Sequence, residues 1–266
     1  RYQLERLAAA RGARLVTVDV PLPFDADQLV DRVRAAITPR TRLGLFDHIT
    51  SPTALVFPLA RLVPLFDGIP TIVDGAHAPG QLALDVDALG ATYYVGNNHK
   101  WLCGPKASGF VVARGPLSPL VTSHGANPGH GPPNRLHAEL DWSGSYDPAA
   151  QLAVPAAIEH VAAEGGGWPA IYARNHALAV ELRARLGGAP LAPAGNIGTM
   201  AALRLELPPN TRPLALEKRL LAEGWEVPIV DFRDGPLVRV SAHLYNRAED
   251  ADALAAKLRE VGARVV

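Results

Sequence analysis

The most informative part of the sequence is Val73-Asp74-Gly75-Ala76-His77-Ala78-Pro79-Gly80, followed by Gly96-Asn97-Asn98-His99-Lys100-Trp101-Leu102. The first segment starts at the end of a short apolar run, 70–74, and the second follows another, 91–95. Each run has the length and composition of a buried strand. Because ligands of open α/β sheets bind at the carboxyl ends of the strands, we expect Asp74 and Lys100 to face one ligand.

Strands and helices alternate on both sides of this stretch. Helices are predicted at 4–10, 27–36 and 58–66, and strands at 14–18, 42–46, 70–74, 91–95 and 109–112. This alternation is typical of an α/β fold with a mostly parallel sheet. The connection between the last two strands is short, so we expect these two to pair differently from the others.

The chain changes character in its second half. A Gly-, Pro- and Asn-rich loop covers 125–133, and long helices follow at 149–163 and 168–186. Strands at 199–207, 225–230 and 237–241 then alternate with helices at 213–223 and 248–261. We therefore predict a large domain, 1–164, and a small C-terminal α+β domain, 165–266, which includes the linking helix.

Composition excludes several classes of function. The 266 residues carry 26 Lys+Arg and 26 Asp+Glu, so no net charge attracts nucleic acid or an anionic membrane. No apolar run reaches the roughly 18–20 residues of a membrane span. The single cysteine, Cys103, excludes an intramolecular disulfide and a multi-cysteine zinc site, and it fits a cytoplasmic protein. The histidines share no metal-ligand spacing, so we predict no metal site.

The pattern D-G-A-H-A-P-G, then H-K-W-L-C-G-P-K, resembles the class V aminotransferase family of pyridoxal-phosphate enzymes, in its isopenicillin N epimerase-like branch. Further matches, in the family's order, are D-H-I-T-S-P-T-A at 47–54, D-W-S-G-S-Y-D at 141–147 and V-R-V-S-A-H-L-Y-N at 238–246. The resemblance implies fold type I: a cofactor-binding large domain with helices on both faces of its sheet and a small C-terminal domain. It also implies the cofactor pyridoxal 5'-phosphate and an amino-acid substrate.

The resemblance gives three residues roles at the cofactor ring. Lys100 is the lysine that forms a Schiff base with the cofactor aldehyde and then moves protons at the substrate's α-carbon. Asp74 pairs with the pyridine nitrogen and keeps it protonated. His77 stacks near the ring or hydrogen-bonds its phenolic oxygen.

Other residues are implied to bind phosphate or substrate. His99 and Asn97 contact the cofactor phosphate, and Ser145 reaches the phosphate of a neighbouring subunit, which predicts a homodimer with a shared active site. Arg239 grips the substrate carboxylate in a bidentate manner, and Ser51 lies beside that carboxylate.

Five of these residues also have an ordinary structural explanation. Lys100 would be a solvated lysine, Asp74 a turn cap, His77 a buried core histidine, and Arg239 a partner in a structural ion pair. Ser145 would belong to an ordinary turn. The sequence alone leaves these alternatives open.

The chain starts with Arg1, at a point where the large domain of such enzymes is already under way. We therefore expect the natural protein to start upstream and the N-terminal part of the large domain to be missing here. That part would supply a side chain that stacks on the cofactor and a helix start that binds its phosphate.

Three reactions compete once the α-proton is removed: epimerisation, transamination, and β-elimination by a C–S lyase. We predict an epimerase or aminotransferase, with the lyase as the alternative and a non-catalytic binding module as a different class. A cysteine desulfurase of the usual kind is disfavoured. Such enzymes use a cysteine on a mobile loop in the second half of the chain, whereas the single cysteine here is Cys103.

Overall fold

The computed structural model describes residues 2–117 and 145–266. The helices are α1 (Tyr2–Ala10), α2 (Ala26–Ala36), α3 (Leu59–Leu62), α4 (Val86–Leu89), α5 (Ala149–Leu152), α6 (Val154–Glu164), α7 (Trp168–Leu186), α8 (Pro213–Ala222) and α9 (Glu249–Glu260). The strands are β1 (Gly44–Asp47), β2 (Thr71–Asp74), β3 (Tyr93–Asn97), β4 (Gly109–Ala113), β5 (Met200–Glu206), β6 (Ile229–Val230), β7 (Leu237–Ser241) and β8 (Arg264–Val265).

The first sheet has the order β1-β2-β3-β4. Strands β1, β2 and β3 are parallel, whereas β4 runs antiparallel to β3. A short connection favours antiparallel pairing because a parallel crossover needs a dozen or more residues. The prediction that these last two strands pair differently is confirmed, and Lys100 lies in the connection between them.

The two faces of this sheet differ. Phe46, Val73 and Tyr94 point into the core. Leu45 and Val95 point to the opposite face and are 44% and 43% exposed. Since side chains alternate along a strand, Asp74 at the end of β2 lies on the more exposed face.

The second sheet is antiparallel, with the order β6-β7-β5-β8. The long helix α7 packs against β5, β7 and α9. One hydrophobic cluster contains buried side chains of both sheets, such as Val73 of the first sheet and Leu203 of the second. The boundary predicted at 164–165 falls between α6 and α7, and the division into two domains there stays a prediction.

Two predicted strands differ from the structure. The strand predicted at 14–18 is wrong: this segment is irregular, and Leu15 and Val16 are exposed. An apolar run forms a strand only where a neighbouring strand can pair with it. The strand predicted at 225–230 shortens to β6. The helix predicted at 58–66 divides into α3 and a 3₁₀ turn, Val63–Phe66, where Pro64 lacks an N–H.

Candidate active site

Lys100 lies in the turn after β3, with its amine close to His77. Its Nζ is 3.3 Å from Nε2 of His77. The turn is closed by hydrogen bonds from the N–H of Cys103 to the Lys100 carbonyl and from the N–H of Gly104 to the Asn98 carbonyl. Burial lowers the pKa of Lys100, Asp74 raises it, and Arg239 lowers it again. A lysine with a lowered pKa has a larger unprotonated fraction, which is the nucleophilic form.

His77 lies in the loop after β2 as a neutral side chain. Burial, together with the charges of Lys100 and Arg239, lowers its pKa to about 4 against the opposing charge of Asp74. Among the described residues, its buried Nδ1 has no hydrogen-bond partner. The imidazole therefore has one ring nitrogen near Lys100 and another that is still available to a ligand.

Asp74 ends β2 at the carboxyl edge of the sheet and is exposed. Its Oδ1 accepts the N–H of Ala76 at 2.9 Å, so the carboxylate does cap the turn, as the ordinary explanation requires. Asp47, its partner in the strand register, lies beside it at the end of β1. Burial raises the pKa of Asp47, and the charge of Asp74 raises it further. Two carboxylates at this edge favour a cation or an N–H donor.

Two hydrogen bonds of His48 connect the end of β2 at Asp74 to the buried Tyr94 of β3. Nδ1 of His48 lies 2.9 Å from the Tyr94 hydroxyl, and the N–H of His48 donates to the Asp74 carbonyl at 2.8 Å. Burial lowers the pKa of His48 to about 4 and raises that of Tyr94. A Cβ on Gly75 would lie 2.2 Å from the Tyr94 hydroxyl. Only glycine therefore allows the chain to pass this close.

Arg239 reaches the same region from β7 in the second sheet. Its Nη1 donates to the Ser51 carbonyl at 2.5 Å and lies 3.1 Å from Ser51 Oγ. Its Nε is buried with no hydrogen-bond partner among the described residues, and none of their ion pairs involves it. Burial lowers its pKa, and Glu217 raises it. The guanidinium thus makes no close ion pair with a described carboxylate, and it has an N–H available for an anion.

The structure thus brings Ser51, Asp74, His77, Lys100 and Arg239 together.

The remaining predicted site residues, Asn97, His99 and Ser145, concern the cofactor phosphate. Asn97 ends β3 opposite Gly109, and Nδ1 of His99 lies 3.5 Å from the Ser108 carbonyl. Ser145 is exposed, and residues 118–144 before it are outside the described part of the chain. The phosphate contacts remain predictions.

Sequence reasoning missed Asp47, Tyr94 and Gln81. Gln81 is 2% exposed and donates from Nε2 to the His77 carbonyl at 2.7 Å. The available signal was a polar residue at the end of D-G-A-H-A-P-G-Q, among small and apolar neighbours. Nothing in the strand 91–95 marks Tyr94, because a buried tyrosine shows its hydroxyl partner only in the fold.

The residues present fit pyridoxal 5'-phosphate. An aldehyde needs an amine, a pyridine nitrogen needs a carboxylate, and a phenolic oxygen needs a hydrogen-bond donor. Lys100, Asp74 and His77 provide these groups. The unpartnered nitrogens of His77 and Arg239 are buried polar atoms that a bound ligand would satisfy.

Similarity to known proteins supports the same assignment. The pattern of the family described as "Aminotransferase class-V" matches residues 3–192. The chain is 38% identical to an isopenicillin N epimerase of Amycolatopsis lactamdurans, over 98% of this chain and 71% of that protein. It is 31% identical to a probable chloroplastic L-cysteine desulfhydrase of Arabidopsis thaliana, over 94% of this chain and 58% of that protein.

A solved structure gives the fold independently. Cysteine desulfurase from Thermococcus onnurineus NA1, in its apo form, superimposes with a TM-score of 0.72 at 18% identity, over 98% of this chain and 69% of that one. The fold is therefore that of the type I pyridoxal-phosphate enzymes. The chain belongs to the class V aminotransferase family and is an enzyme that depends on pyridoxal 5'-phosphate. The predicted family, fold class, enzymatic nature and cofactor are confirmed.

Among residues 2–117 and 145–266, no helix has the length and apolar character needed to cross a bilayer. The same residues contain no group of three or more His, Cys, Asp or Glu side chains placed to hold a metal ion.

Proposed function

We propose that this protein removes the α-proton of an amino acid and returns a proton to the product, as an epimerase or an aminotransferase. The observation that carries the proposal is the Lys100 amine, 3.3 Å from a neutral His77 and between the charges of Asp74 and Arg239. Proton transfer at a carbon needs a base with a tuned pKa beside a fixed binding site for the substrate.

Four residues would hold the cofactor and substrate. Lys100 would bind the cofactor aldehyde covalently, Asp74 would face the pyridine nitrogen, and His77 would donate to the phenolic oxygen. Arg239 would take the substrate carboxylate with its free N–H groups. When bound, the cofactor supplies an electron sink that stabilises negative charge on the α-carbon.

Each residue acts on a defined atom. Lys100 Nζ takes the α-proton, and its lowered pKa leaves the amine free to accept it. His77 stays neutral because its pKa is about 4, so it does not compete for a proton at neutral pH. Ser51 holds the guanidinium of Arg239 through its carbonyl and hydroxyl, which fixes the direction of the substrate carboxylate.

A C–S lyase is the second candidate, and the similarity to an L-cysteine desulfhydrase favours it. Elimination needs the same base and a leaving group on the substrate's β-carbon. The position of Cys103 argues against a cysteine desulfurase mechanism: it lies in the turn that Lys100 opens, its Sγ is 3.7 Å from His243 Nε2, and partial burial raises its pKa. A thiol with a raised pKa is a weaker nucleophile at neutral pH.

Incubation with candidate amino acids in deuterated water separates the reactions. Deuterium at the α-carbon with inverted configuration identifies an epimerase, and a pyridoxamine form of the cofactor identifies an aminotransferase. Pyruvate with ammonia and neither other signature would overturn this order in favour of the lyase. Lys100→Ala is the control, and it should abolish both the near-visible absorption band and every product.

We further propose a cytoplasmic homodimer in which Ser145 of one subunit approaches the partner's cofactor phosphate. A hydroxyl can donate to phosphate, and an exposed Ser145 is accessible to a second chain. Sedimentation of the cofactor-loaded protein tests the assembly. A monomer at micromolar concentration would contradict it.

A further inference from the structure

Gln81 joins the two halves of the site through its side-chain amide. Its Nε2 donates to the His77 carbonyl at 2.7 Å, and its Oε1 accepts from both the N–H and the hydroxyl of Thr199, at 2.9 and 3.0 Å. Gln81 is 2% exposed, and Thr199 is fully buried. A buried amide that is hydrogen-bonded at both ends keeps one orientation. It therefore fixes the His77 backbone relative to the start of β5.

The Thr199 end of this bridge leads to Arg239. The Thr199 carbonyl accepts the N–H of Ala242 at 2.8 Å, directly after β7, the strand that carries Arg239. Within the sheet, Arg239 pairs with Ala202 of β5. A shift of this part of β5 would therefore move the guanidinium together with Thr199.

The same segment also touches the loop that holds Ser51. The N–H of Val56 donates to the Asn196 carbonyl at 2.8 Å. A Cβ on Gly198 would lie 2.7 Å from Gln81 Oε1, so glycine leaves room for the amide. Residues 196–199 thus contact both loops of the first sheet that carry site residues.

We propose that Gln81 is a positioning residue that keeps His77, on the cofactor side, in register with Arg239, on the substrate side. The proposal rests on the function proposed above. A residue with a packing role alone would need only its shape, whereas both polar ends of the Gln81 amide are hydrogen-bonded, one to His77 and the other to Thr199, 118 residues further along the chain. Without the bridge, His77 would shift relative to the Lys100 amine.

Two variants and one control test the bridge in the cofactor-loaded enzyme. Gln81→Met keeps the length of the side chain without its hydrogen bonds, and Gln81→Asn keeps the amide but is too short to reach both ends. Thr71→Val is the control: it removes a buried hydroxyl that accepts the N–H of Thr92 at 3.2 Å, at the end of β2 opposite to Asp74, and it leaves the bridge intact. The readouts are the cofactor dissociation constant, the pH midpoint of the near-visible band, and the melting temperature.

We expect both Gln81 variants to bind the cofactor about tenfold more weakly, as the loss of one or two buried hydrogen bonds implies, and to shift the pH midpoint. Thr71→Val should lower the melting temperature and keep the wild-type affinity and midpoint, because it loses a buried hydrogen bond outside the bridge. Wild-type affinity and midpoint in Gln81→Met or Gln81→Asn would overturn the bridge, whatever their melting temperature. Pyruvate and ammonia as the wild-type products, with neither other signature, would instead overturn the proposed function and leave the bridge untouched.

Discussion

The guanidinium of Arg239 is oriented before any substrate arrives. Ser51 accepts from its Nη1, and its Nε remains buried without a partner among the described residues. Arg239→Gln should therefore raise the KM for the amino acid by about 10- to 100-fold with a smaller change in kcat, because a charged hydrogen bond is worth about 1.5–3 kcal/mol. Steady-state kinetics measure this.

A matched control is available on the outer surface. Arg264 of β8 pairs with Glu206 and is 70% exposed, so Arg264→Gln removes a guanidinium far from the proposed site chemistry. It should leave KM unchanged. Equal KM values in the wild type and Arg239→Gln would refute the carboxylate-binding role.

The pKa of Lys100 responds to its two charged neighbours in opposite directions. Asp74 raises it and Arg239 lowers it, on top of the lowering by burial. Arg239→Gln should therefore move the pH midpoint for alkylation of Lys100 upward, and Asp74→Asn should move it downward. Reductive methylation of the cofactor-free protein over a pH series, followed by peptide mass spectrometry, measures each midpoint.

The sequence contains four lysines, so the peptides are easily separated. Lys257 serves as the internal reference, because its pKa is raised by Glu223 and Glu260, away from the first sheet. Its midpoint should stay constant in both variants. Movement of the Lys100 midpoint in the same direction in both variants would contradict the electrostatic account.

At the scale of elements, the end of β2 packs directly against β3. Gly75 has an ordinary backbone conformation, but its hypothetical Cβ would overlap the Tyr94 ring and hydroxyl at 2.2–2.3 Å. Gly75→Ala should cost about 1–3 kcal/mol in the free energy of unfolding and displace Asp74, which weakens cofactor binding. Chemical denaturation and absorbance titration measure the two effects.

Gly195 provides the control for this substitution. It lies in the 3₁₀ turn Ala194–Asn196, where an added Cβ has nothing within 4 Å. Gly195→Ala should therefore leave both stability and cofactor affinity near the wild-type values. If Gly75→Ala behaves in the same way, the close approach of Tyr94 does not constrain the site.

A short apolar run in the sequence correctly predicts a strand when the fold supplies a neighbouring strand to pair with it. The apolar runs at 42–46, 70–74 and 91–95 became β1, β2 and β3 because each has a neighbouring strand. The run at 14–18 has similar residues but pairs with no strand in the described chain, and periodicity does not report whether a partner exists.

The residues of the candidate site also fall into two groups: those that the sequence identifies and those that only the fold reveals. Residue types with distinctive chemistry at strand ends, such as Asp74 and Lys100, stand out in the sequence. Tyr94 and Gln81 act through partners 46 and 118 residues away, so their roles depend on how the chain folds. Sequence spacing carries no information about such contacts.

One buried cluster contains side chains of both sheets, so we expect the sheets to unfold together and to expose their histidines in one step. His48 and His77 each have a pKa lowered from 6.5 to about 4, mainly by burial. The unfolded chain therefore binds more protons than the folded chain between pH 6.5 and about 4. Stability is fully present above pH 6.5 and declines as the pH falls through this range.

Replacing His48 tests this sign directly. His48→Gln should reduce the slope of the unfolding free energy against pH between pH 6.5 and about 4. The reduction is at most the contribution of one bound proton, because that position no longer titrates. Denaturant unfolding at successive pH values gives the slope. His160→Gln, on the exposed side of α6, is the matched control and should keep the wild-type slope. Identical slopes in all three proteins would mean that His48 is not held neutral by the fold.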